Sequence, residues 1–149
     1  MPQTEMTQSE FRSVVEQYVK RRNGLTGTVP GMLPFTLIRT DAEKATLTLR
    51  AEPEPWTRNQ NGVVHGGIVA TMFDSAMGTL CRCYSGDPST PTISMTINYC
   101  NPVPIATPLL FSVELHHLGS NTIHLQAQCA TESDPGRILA TAQAVYYRV

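Results

Sequence analysis

From Thr7 onward the apolar residues recur at helical spacing. Phe11, Val14, Val15, Tyr18 and Val19 fall at i, i+3, i+4, i+7 and i+8, which predicts an amphipathic helix. Thr7-Gln8-Ser9-Glu10 reads as its capping box, Lys20, Arg21 and Arg22 suit its C-terminal dipole, and Gly24 suits its stop. The next stretch, GLTGTVPGMLP, is rich in turn residues. After a short strand near Phe35 to Arg39, the run KATLTLRAE changes period to two. Ala45, Leu47 and Leu49 fall on one side, with Thr46, Thr48 and Arg50 on the other, as in a half-buried strand.

From about Gly66 to Cys83 the period returns to helical, now with apolar residues on nearly every face: Ile68, Val69, Met72, Phe73, Ala76, Met77 and Leu80. A helix of that kind is expected to be buried. Four strand-like runs follow. Ile93, Met95, Ile97 and Tyr99 alternate with Thr92, Ser94, Thr96 and Asn98; Phe111, Val113 and Leu115 come next. Ile123, Leu125, Ala127 and Cys129 form the third run, and Ile138, Ala140, Ala142, Ala144 and Tyr146 the fourth. Turn chemistry at Asn101-Pro102, Gly119-Ser120-Asn121 and Asp134-Pro135-Gly136 predicts an antiparallel meander. The economical assembly is α+β: a curved antiparallel β-sheet wrapped around a central buried helix, with an extra N-terminal helix. That is the hotdog fold. It is expected as a single domain over residues 1–149, with 1–24 as the helical extension.

Composition narrows the function classes. Eleven basic residues stand against 12 acidic ones, and only 15% of the chain is charged, so neither nucleic acid nor a membrane surface is expected as a partner. So low a charged fraction points to surface covered by another subunit. The start, MPQTEMTQSEF, lacks a basic segment followed by an apolar one, and no apolar run reaches the roughly 20 residues of a membrane span. A soluble, cytoplasmic protein is expected. The four cysteines read as reduced thiols, because Cys81-Arg82-Cys83 is too tight for a zinc pair. His116 and His117 should point to opposite faces of a strand, so no metal site is expected.

The chemistry gathers in NQNGVVHGGIVATMFDSAMG, residues 59–78. Asp74 has Ala70, Thr71, Met77 and Gly78 at its helical neighbour positions, so no intrahelical ion pair is available. An aspartate on a wet face is the ordinary explanation of a lone carboxylate, but this helix offers almost no wet face. A partly desolvated carboxylate is suited to act as general base or nucleophile. His65-Gly66-Gly67 opens the same helix, where unpartnered N–H groups and the dipole favour an anion or a developing oxyanion. Gly66 and Asp74 lie roughly 12 Å apart along one helix, too far to share one carbonyl. A two-fold dimer with two such helices antiparallel would bring Gly66 of one chain towards Asp74 of the other.

Asn59, then His65-Gly66-Gly67, then Asp74, with the later segment PTISMTINYCNP, is similar to the PaaI-like acyl-CoA thioesterases of the hotdog superfamily. The resemblance implies hydrolysis of an acyl-CoA thioester to free acid and coenzyme A. It makes Asp74 the catalytic carboxylate, as base or nucleophile, and the Gly66 N–H the oxyanion donor. Asn59 would sit near the carbonyl, His65 would orient the site, and Thr92 would stand where relatives place a serine that holds the attacking water. No cofactor is implied beyond coenzyme A as part of the substrate, and the assembly is a homodimer or homotetramer. Ser120 stands where many relatives carry a basic residue, which removes a phosphate contact; Arg58, Arg82 and Arg137 could stand in for it but read as ordinary surface arginines, so the coenzyme A-binding residues stay unassigned. Ile68, Met72, Phe73 and Met77 suit either an acyl tunnel or plain core. A hotdog hydratase would need its own His and acid motif, which is not seen. A non-catalytic acyl-CoA binder or sensor remains the alternative.

Overall fold

The computed structural model describes residues 6–85 and 89–148. The first five residues of the expected N-terminal extension lie outside them. Helix α1 spans Gln8–Asn23 and opens with the expected box: Thr7 Oγ1 accepts the Glu10 N–H, and Glu10 accepts the Thr7 N–H at 2.8 Å. Its buried stripe is narrower than the pattern implied. Phe11, Val15 and Val19 are enclosed, while Val14 is exposed and Tyr18 half-buried. Arg22 takes the remaining inward position; its guanidinium lies 4.5 Å from the Phe35 ring centroid and donates to Leu33 O. A one-turn helix, α2 (Val29–Met32), interrupts the turn-rich stretch where Thr28 caps the Gly31 N–H.

The sheet comprises β1 (Thr36–Asp41), β2 (Thr46–Ala51), β3 (Thr92–Tyr99), β4 (Leu109–Leu118), β5 (Thr122–Thr131) and β6 (Asp134–Tyr147). Every pairing is antiparallel and the order is β1-β2-β4-β5-β6-β3. The expected meander therefore holds only from β4 to β6. β3 does not pair with β4; the chain crosses after Tyr99, and β3 closes the far edge against β6. One turn is also displaced. The β5–β6 connection is Glu132-Ser133, and Asp134-Pro135-Gly136 forms the exposed start of β6, where a proline interrupts little of the ladder.

Helix α3 (Gly66–Ser85) packs across the inner face of this sheet. Val69, Met72, Phe73, Ala76, Met77 and Leu80 meet Leu47, Leu49, Phe111, Val113, Leu125 and Ala140, and Phe73 meets Phe111 edge-on at 5.2 Å. The helix is not enclosed all round: Thr71, Asp74, Ser75, Gly78 and Arg82 form a half-buried stripe. So the lone carboxylate sits at the boundary of the core.

A β-bulge between Leu115 and His117 alters the histidines as well. His117 packs edge-on against His124, with ring centroids 5.6 Å apart, and His116 lines the same outer-face hollow of about 230 Å³ as His124. The simple alternation expected of the two neighbours fails because the extra residue resets it. Among the described residues no three His, Cys, Asp or Glu side chains lie close enough to hold a metal ion.

Candidate active site

The loop before α3 is tied down by its own backbone. Asn59 N–H donates to Val63 O, and Asn59 Oδ1 accepts the N–H groups of Asn61 and Val63 at 2.9 and 3.3 Å. Asn59 therefore shapes the loop with its carbonyl oxygen, which leaves its amide NH2 for other partners. Gly62, at φ +81°, supplies the left-handed turn. His65 N–H is held by Thr57 O at 2.8 Å, and His65 O accepts the first amides of the helix, from Ile68 and Val69.

His65 is the N-cap of α3 in all but residue type. Its Nδ1 accepts the Gly67 N–H at 2.9 Å, the bond that a serine or aspartate makes at this position. As an acceptor, Nδ1 carries no proton, so the neutral ring has its hydrogen on Nε2. The Gly66 N–H, one residue earlier, takes no acceptor among the described residues. A helix-terminal donor is thus left open beside a glycine. Tyr99 fixes the same residue from the sheet: its hydroxyl donates to Gly66 O at 2.6 Å, and its ring would lie 3.4 Å from a Cβ at position 66.

Two turns along the helix, Asp74 finds hydroxyls in place of a cation. Thr92 donates to Asp74 Oδ1 at 2.7 Å, and Tyr146 lies 2.9 Å from both Asp74 Oδ1 and Asp74 O. Asp74 Oδ2 has no protein partner among the described residues. Tyr146 is 2% exposed. Burial, and then the charge of Asp74, push its phenol far above the usual value, so it stays protonated and donates.

A second β-bulge makes this cluster. Thr92 pairs with Tyr146 and Ser94 with Val145, so Ile93 is the extra residue in β3. Strict alternation would have placed Ile93 in the inward row with Met95, Ile97 and Tyr99. Instead Ile93 is 55% exposed, and Thr92 takes the inward position opposite Tyr146. Bulges re-aim side chains in this way.

Of the residues singled out in the sequence, Asp74 and Thr92 are brought together, and His65 adjoins Gly66 with Asn59 in the loop that leads to them. The two groups remain on one helix, eight residues apart. Sequence reasoning missed Tyr146 and Tyr99. Each closes an inward-facing row, and a tyrosine in such a place needs a partner for its hydroxyl, which was the available signal.

Residues 61–136 match the family model described as thioesterase superfamily. That span holds Gly66, Asp74, Thr92 and Tyr99 but neither Asn59 nor Tyr146. Two curated relatives are named acyl-coenzyme A thioesterase THEM4. The Bos taurus protein is 29% identical over 91 residues, 61% of this chain and 36% of that protein. The Xenopus laevis protein is 25% identical over 83 residues, 56% of this chain and 36% of that one. The match thus spans about a third of the length of these relatives. Among solved structures, thioesterase superfamily member 2 from Mus musculus is 18% identical with a TM-score of 0.77, covering 97% of this chain and 100% of its own. E. coli PaaI, from the phenylacetic acid degradation operon, is 14% identical with a TM-score of 0.75 over 92% of this chain and 94% of its own. The Streptococcus mutans protein smu.793, bound to acetyl CoA, is 20% identical with a TM-score of 0.66 over 77% of this chain and 88% of its own.

Proposed function

The chain belongs to the thioesterase superfamily, and on that premise we propose that it hydrolyses an acyl-CoA thioester to the free acid and coenzyme A. The observation that carries the reading is Asp74, a carboxylate at the edge of the core whose Oδ1 is held by hydroxyls and whose Oδ2 is left without a protein partner. Two named acyl-coenzyme A thioesterases among the relatives and a neighbour crystallised with acetyl CoA support the substrate class.

In this reading the second subunit adds to the exposed edge of β3, and antiparallel α3 helices set Gly66 of one chain against Asp74 of the other. The Gly66 N–H polarises the thioester carbonyl, and the Asn59 amide lies on the same loop. Asp74 removes a proton from water or attacks the carbonyl itself. Thr92 donates to Asp74, so its oxygen lone pairs remain free to accept from that water. His65 serves by capping the helix, which holds the Gly66 amide in place; with Nδ1 occupied, it is not the base. Thiols have a pKa near 8.5, so the departing coenzyme A thiolate needs little acid assistance. No cofactor is required, since coenzyme A enters with the substrate. A cytoplasmic location and the pairing of dimers into tetramers belong to the same proposal.

The test is thiol release from a panel of acyl-CoAs, aromatic and aliphatic, with wild type and Asp74→Asn. Turnover lost in the variant supports the assignment. Tight binding with no release by wild type on any member would make the protein a binder or sensor.

A further inference from the structure

We infer that Tyr146 is a positioning residue that, together with Thr92, locks the Asp74 carboxylate so that Oδ2 is its reacting oxygen. This rests on the reading of Asp74 given above and adds a residue outside the matched family span.

The geometry leaves Oδ1 little freedom. Thr92 and Tyr146 face each other across β3 and β6, and both hydroxyls converge on that one oxygen, at 2.7 and 2.9 Å. The two donors come from different strands, so rotation of the carboxylate about χ2 would break both bonds at once. Tyr146 also lies 2.9 Å from the backbone oxygen of Asp74. The phenol's one proton is thus shared between the side chain and the backbone of Asp74, which references the carboxylate to its own turn of α3. An oxygen already accepting two hydrogen bonds is the poorer base, so the proton from water, or the bond to the acyl carbon, forms at Oδ2.

The same geometry excludes a general-acid role for Tyr146. Its ring is buried, and burial with the neighbouring negative charge holds the proton on oxygen. Such a group orients by donating a proton that it never transfers.

Thiol release by wild type, Tyr146→Phe and Asp74→Asn, with kcat and KM separated, tests this. Phenylalanine keeps the ring packing and removes one bond to a charged group, so kcat should fall roughly 10- to 100-fold with KM little changed. A loss confined to kcat, in a variant whose near-UV circular dichroism and KM match wild type, marks a positioning role; a merely structural role would move the spectrum or KM as well. Wild-type kcat in Tyr146→Phe, beside an inactive Asp74→Asn, overturns the inference and leaves the thioesterase reading standing. An active Asp74→Asn overturns both. Should Tyr146→Phe fail to fold, the Tyr146 hydroxyl proton can be observed by NMR in protein isotopically labelled at tyrosine Cζ. A slowly exchanging proton that moves on Asp74→Asn supports the bond, and one that exchanges too fast to see, or does not move, overturns it.

Discussion

Along β1 the outer edge of the sheet is met by side-chain amides, whereas along β3 it is left bare. Gln8, at the start of α1, donates to Thr40 O at 2.9 Å and accepts the Ala42 N–H at 2.8 Å. Asn23, at the end of α1, donates to Phe35 O at 2.7 Å and accepts the Phe35 N–H at 3.0 Å. The two carboxamides stand in for a neighbouring strand at both ends of β1. The lengths agree: the 15 steps from Gln8 to Asn23 span roughly 22 Å of helix, and the seven steps from Phe35 to Ala42 roughly 23 Å of strand. β3 is longer, carries no charged side chain and no proline, and pairs only with β6. Proteins blunt free edges with charges, prolines or covers, so a flat uncharged edge invites another strand. The guarded edge belongs to folding, and the open one to the proposed partner and the site behind it.

Damage on the open side should therefore cost function, and damage on the guarded side only stability. The largest effect is expected from Asp74→Asn, roughly a 10²- to 10⁴-fold loss of turnover, the usual contribution of a general base, with the proposed dimer intact by sedimentation. Thr96→Lys places a charge mid-way along the bare edge; dimer and turnover should disappear together, while far-UV circular dichroism stays unchanged. A monomer that still turns over would break the link between the edge and the site. On the guarded side, Asn23→Ala leaves the Phe35 backbone without its amide partner. It should lower unfolding stability by about 1–3 kcal/mol, read by urea titration, with kcat unaltered. The last effect is absent at neutral pH and concerns thiols between the edges. Burial raises the thiols of Cys81 to about 11 and of Cys83 and Cys129 to about 12. In the unfolded chain these thiols ionise near their ordinary 9.0, so above that pH the unfolded state binds fewer protons than the native one. Stability should be flat below about pH 9 and fall from there towards 11 to 12, in denaturation midpoints taken across that range.

The helix-opening motif and the inner face of α3 were legible because each depends on near neighbours: an N-terminus, a 3.6-residue period, a carboxylate with no cation in reach. The strand order was not. Alternation says which face a residue takes but not which strand lies beside it, and β3 pairs with β6 across some 40 residues of chain. The two bulges were equally silent, since an extra residue leaves no mark in composition; one gathered the histidines and the other exchanged Ile93 for Thr92. The carboxamide guards on β1 could not be read either, because Gln8 and Asn23 are ordinary polar helix residues until the sheet is beside them. Within the site, Asp74 could be picked out by what it lacked, while Tyr146 passed as the last member of an apolar row.

The bulge at Ile93 also makes register a functional quantity. Thr92 and Tyr99 are an odd number of residues apart, yet both reach α3, and only the extra residue reconciles that parity. Deleting Ile93 would let β3 pair smoothly with β6 and would leave Thr92 inward opposite Tyr146, since Ser94 already pairs with Val145. A change of letter at position 93 is a local matter. A slip that paired every residue in turn would keep the sheet and take the hydroxyl away from the carboxylate, because Ile93 would then fill the inward place.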